Sequence, residues 1–136
     1  MPFKVSWLVE KRVIFSQTSG YLTTDDLITH NSVMEEYARV GENLVHIISD
    51  STDVTGMNVG LRDLQKIRFP ALPNLGWAIS ISPKPMERFF ASVMMQLTNK
   101  RGRQFATLEE ALRFLQEIDE TLPPLSIPEE SLKSQS

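Results

Sequence analysis

From the amino end, hydrophobic and polar positions alternate. Phe3, Val5, Trp7 and Val9 take every second place around Lys4, Ser6 and Leu8, which is the two-residue period of a strand. After the polar run Glu10-Lys11-Arg12, Val13–Thr18 reads as a second strand, and the two as a hairpin closed by Ser19-Gly20. The period then lengthens. Thr23 suits an N-cap with Asp26 three residues on as its capping-box partner, and Leu22 and Leu27 stand at the two staple positions. Asp25 and Asp26 also suit the positive end of a helix dipole. This pattern predicts a helix running to about Val40 and stopping at Gly41.

Leu44-Val45-His46-Ile47-Ile48-Ser49 is nearly continuous apolar and β-branched, the mark of a strand covered on both faces. Asp50–Gly56 then reads as a polar loop. Leu61, Leu64 and Ile67 give a short second helix before Pro70, and Trp77–Ile81 a strand stopped by Pro83 and Pro85. A third helix is expected from about Pro85 to Asn99, with Met86, Phe89, Phe90, Val93, Met94 and Leu97 on its apolar face. A short strand at Arg103–Phe105 follows. Thr107 and Glu110 make a capping box for the last helix, whose core stripe is Leu108, Ala111, Leu112, Leu115 and Ile118. The remainder is rich in proline and has no period. One domain over residues 1–121 and a flexible tail over 122–136 are therefore expected. The fold class is α/β, a central mostly parallel sheet with an N-terminal β-hairpin, in the order β-β-α-β-α-β-α-β-α.

Composition narrows the function. A chain of 136 residues, 41% hydrophobic and 23% charged, suits one globular core. A net charge of −3 argues against general nucleic-acid binding, which needs a basic footprint. The absence of cysteine excludes disulfides, thiolate metal sites and a cysteine nucleophile. The amino end has no basic region leading into a long apolar run, and no stretch approaches the ~20 apolar residues of a membrane span. A soluble cytoplasmic protein is expected. No G-x-S-x-G elbow, P-loop or dinucleotide fingerprint occurs, so neither an enzyme nor a cofactor is expected. His30 shares a stripe with Leu27, Met34 and Tyr37, and His46 lies between Val45 and Ile47. Without metal-type partners, both read as hydrogen-bonded structural histidines. Lys100-Arg101-Gly102-Arg103 either offsets the negative end of the third helix or offers a site for an anion or acidic partner.

Three segments carry a family resemblance: Ile47-Ile48-Ser49-Asp50, Thr52-Asp53-Val54-Thr55-Gly56, and Thr107 to Leu115. Over roughly residues 3–118 the chain resembles the STAS domain (sulphate transporter and anti-sigma-factor antagonist), and more closely its small bacterial, SpoIIAA-like relatives. Anti-sigma antagonists carry Asp-Ser-Ser-Gly at the start of the helix after the central strand, with the serine before glycine as phosphate acceptor. Asp53-Val54-Thr55-Gly56 stands in that place, so the resemblance makes Thr55, and after it Ser51, the candidate phosphoacceptor. Val54 replaces the first serine, and the spacing from Asp50 is short. The resemblance implies a non-enzymatic regulatory module that binds a protein partner through the loop containing Asp50, Ser51, Asp53, Thr55 and Gly56. The alternative is a carrier or sensor of a small apolar ligand or lipid held between the third helix and the sheet, with Phe90, Met94 and Met95 as its wall. Oligomeric state is left open, a homodimer included.

Overall fold

The computed structural model describes residues 3–42, 44–60, 62–63, 74–82 and 101–126. Strand β1 (Phe3–Val9) and strand β2 (Val13–Thr23) form the expected antiparallel hairpin, in register from Phe3 opposite Thr18 to Val9 opposite Val13. The turn between them is closed by the Arg12 amide donating to the Val9 carbonyl at 2.9 Å, with Lys11 at a φ of 65°. β2 does not stop at Ser19-Gly20. It bulges there and continues to Thr23, directly into helix α1 (Thr24–Arg39).

Both arms of the α1 capping box are present. The Thr23 hydroxyl oxygen accepts from the Asp26 amide at 3.2 Å, and the Asp26 carboxylate accepts from the Thr23 amide at 3.0 Å. Strand β3 (Val45–Asn58) lies parallel to β2, strand β4 (Leu75–Ile81) parallel to β3, and strand β5 (Gly102–Phe105) parallel to β4. The sheet is therefore mixed, in the order β1-β2-β3-β4-β5. Helix α2 (Leu108–Ile118) closes the described fold. Thr107 caps it by accepting from the Glu110 amide at 3.3 Å. The second and third helices expected over 61–69 and 85–99 lie outside the described residues, apart from Arg62 and Asp63.

Alternation along the strands builds a core on each face. Ile14, Val45 and Ile47 point to one side, where Met34 and Ala38 of α1 cover them. Val13, Phe15, Ile48, Ile79 and Ile81 point to the other, against Leu108, Ala111, Leu112 and Leu115 of α2. A third, smaller cluster joins Leu22, Leu27 and Val54. Two expectations need correction. Ile118 is not core but 48% exposed, because it is the last residue of α2 and overhangs the sheet. Nor does the chain leave the domain at residue 121. Leu122 is buried against α2, and the Leu125 amide donates to the Gln116 side chain at 2.8 Å, so residues 122–126 pack on the helix.

Candidate functional site

Asp50–Gly56 is strand, not loop. β3 stays paired with β2 as far as Asn58 opposite Thr23, so these polar residues form a two-stranded extension of the sheet rather than the opening of a helix. Val54 points inward onto Leu22 and Leu27, while Asp53 and Thr55 on either side of it are exposed. The register slips between Gly20 opposite Val54 and Tyr21 opposite Gly56, which leaves Thr55 in a bulge. A Cβ on Gly56 would come within 3.1 Å of the Tyr21 ring, so the missing side chain lets that ring lie across the strand. Tyr21 itself is 59% exposed.

The other two residues of this set are held by local bonds. The Asp50 carboxylate accepts from the Thr52 amide at 2.9 Å and the Thr52 hydroxyl at 2.5 Å. Ser51 donates to the Ile81 carbonyl at 3.1 Å and lies 2.7 Å from the Ser82 hydroxyl. Phe90, Met94 and Met95 lie outside the described residues.

Both histidines are buried and hydrogen-bonded. His30 Nδ1 donates to Asn31 Oδ1 at 3.2 Å, and its Nε2 accepts from the Ser16 hydroxyl. That bond order is the one a serine hydrolase uses, but Ser16 has no exposed surface and Phe3 packs edge-on over the ring. Burial pushes the His30 pKa down from 6.5, against the hydrogen bond to Asn31.

His46 belongs to a second assembly that no local sequence pattern marks. It stands near the start of β3, at the amino ends of the parallel strands. The Trp77 amide donates to its Nδ1 at 3.0 Å, so the ring hydrogen sits on Nε2, which donates to Asp119 Oδ2 at 2.8 Å. Protonation would set a second N–H against that of Trp77. Desolvation by burial likewise lowers the His46 pKa, and Asp119 only partly offsets it.

Arg12 completes the knot. Its Nη2 donates to Asp119 Oδ2 at 3.0 Å and to Thr121 Oγ1 at 2.8 Å, and its Nε to the Leu44 carbonyl at 3.2 Å. Burial alone would raise the Asp119 pKa. The hydrogen bonds from Thr121 and His46 outweigh it and hold the carboxyl at about 2. These side chains floor an open cleft of about 590 Å³, whose walls are Leu44, Trp77, Ile118 and Arg101. The basic run seen in the sequence divides here. Arg101 faces the cleft, whereas Arg103 lies over the Phe105 and Phe114 rings at 5.7 and 5.0 Å. The position of Lys100 lies outside the described residues. Sequence reasoning missed Arg12, Asp119 and Thr121 as site residues because Asp119 lies 107 positions from Arg12 and 73 from His46.

Among the described residues, no group of three or more histidines or carboxylates could hold a metal ion, and no helix is long and apolar enough to cross a membrane. The architecture defines a class: a mixed five-stranded sheet with an opening hairpin and a helix packed on each face. The crystal structure of an uncharacterized protein from the DUF3478 family with a SpoIIAA-like fold, from Shewanella loihica, superposes on it with a TM-score of 0.59. The match covers 83% of this chain and 91% of that one at 15% identity, and it shows a SpoIIAA-like fold. No protein-family model and no curated protein matches the sequence.

Proposed function

We propose that the protein is a non-enzymatic regulatory module of the STAS type, acting in the cytoplasm and binding a protein partner through the β2–β3 extension. The observation that carries this reading is the exposed surface on that extension. Tyr21 lies across Gly56 with Asp53 and Thr55 close by, on paired strands held from beneath by Leu22, Leu27 and Val54. An aromatic ring on a fixed base, flanked by polar groups, is the usual composition of an interface anchor. The same geometry ranks the two phosphoacceptor candidates. Thr55 is exposed, whereas the Ser51 hydroxyl is committed to the Ile81 carbonyl, so phosphate on Thr55 is the form in which this surface would be switched.

The test is a photo-cross-linking capture with a benzophenone side chain at Ser19, beside Asp53 in the register. The expected result is a defined protein partner, lost on Tyr21→Ala and on Thr55→Glu while circular dichroism stays unchanged. Capture of the same proteins by both variants would remove the extension as the contact surface. Mass spectrometry of the isolated protein should find phosphate on Thr55 and none on Ser51.

A further inference from the structure

The cleft at the amino ends of the strands is separate from the β2–β3 extension. Its floor is fixed. Arg12 Nε and Nη2, His46, Asp119 and Thr121 are hydrogen-bonded to one another, to the Leu44 carbonyl and to the Trp77 amide, and the Arg12 and Asp119 side chains are each only 13% exposed. The walls are of another kind. Among the described residues four large hydrophobic side chains are exposed, and two of them, Leu44 at 39% and Ile118 at 48%, stand at this cleft beside the half-buried Trp77. Arg101 is exposed, and its guanidinium has no hydrogen-bond or ion-pair partner among the described residues. The volume of about 590 Å³ lies within the range of small-molecule pockets.

Charge sets the sign of the ligand. With His46 neutral, two arginines against one aspartate leave the lining one positive charge in excess, and the excess sits on Arg101. We propose that this cleft binds a small amphipathic monocarboxylate, its acid group paired with the Arg101 guanidinium and its apolar body laid on Trp77, Leu44 and Ile118. A planar fork of N–H donors matches a carboxylate in two parallel bonds, and the prebuilt floor has no rearrangement to make on binding.

Octanoate is the probe and 1-octanol its neutral counterpart, with binding read from Trp77 emission in a Trp7→Phe background. Trp7 packs against Tyr37 on the opposite face of the sheet, so it takes no part in the cleft. The expected result is a saturable change with octanoate, and octanol weaker by about ten-fold or more. Arg101→Gln should weaken octanoate by a similar factor and abolish the preference over octanol. Ile118→Glu, which sets a carboxylate at the wall without touching the core, should weaken octanoate at least as much. Unchanged circular dichroism in both variants separates loss of binding from loss of fold. The absence of any saturable change up to millimolar octanoate would overturn the proposal. So would equal affinity for acid and alcohol, or octanoate binding indifferent to Arg101→Gln.

Discussion

Single atoms decide the knot around His46. Gly76 is the next residue but one before Ala78 on β4, and a Cβ there would fall 2.5 Å from His46 Nδ1 and 2.6 Å from Cε1. Contacts that short force the ring aside and break both of its hydrogen bonds. Gly76→Ala should therefore destabilise the fold by about 1–3 kcal/mol, the scale of an overpacked core, with urea unfolding as the measurement. A neutral result would mean the ring has room that the structure does not give it. Asp119 is the common acceptor of Arg12, His46 and Thr121. Asp119→Ala takes the ionic partner from a largely buried guanidinium and the acceptor from the imidazole N–H together. A loss of about 3 kcal/mol follows, and Asp119→Asn should recover part of it because its amide oxygen still accepts. Nothing in the sequence near residue 119 announces this role. The residue reads there only as the polar end of a helix.

Elements were legible where one period ran unbroken. The β1–β2 hairpin, α1 with its cap at Thr23, the parallel pairing of β3 and the stripe of α2 follow from alternation, capping chemistry and four-residue spacing. The β2–β3 extension did not, for two reasons. It buries only one small cluster, so most of its side chains are polar, and the bulge at Thr55 interrupts the two-residue alternation that would have marked a strand. Polar and aperiodic segments resemble loops until the partner strand is known. The same thin cluster predicts uneven stability along one strand. Backbone amides of Asp53–Asn58 should exchange with solvent faster than those of Val45–Asp50, where helices cover both faces of the sheet. Leu22→Ala should cost about 2–5 kcal/mol and raise exchange first in the extension. Uniform protection along β3 would contradict this division.

At the scale of the whole molecule, three titratable groups among the described residues bind protons differently when folded, and each contributes to the response to acid. Burial lowers the pKa of both His30 and His46 below 6.5, so the unfolded chain takes up these protons first as the pH falls. Above about pH 7 neither form binds them and stability is insensitive to pH on their account. From there downward stability should fall, with a slope of up to about 1.4 kcal/mol per pH unit for each histidine, and level off below the folded values. Asp119 acts lower. Its carboxyl is held at about 2 against an ordinary 3.8, so its contribution is present above pH 3.8 and is lost as the pH falls towards 2. Urea midpoints measured from pH 8 to pH 2 should therefore fall first on account of the histidines and, below pH 3.8, on account of Asp119 as well. The first stage has an internal check in His30→Gln. A glutamine can accept from Ser16 and donate to Asn31 without a titrating proton, so the variant should fold and lose up to one histidine's share of the slope between pH 7 and pH 5. Of the shifted groups among the described residues, His46, buried against β4 and bonded to Asp119, should then carry the response that remains in that interval. Stability that is flat from pH 8 to pH 5 in the parent chain would mean that neither ring resists protonation, and the neutral Nε2–H form assigned to His46 would fall with it.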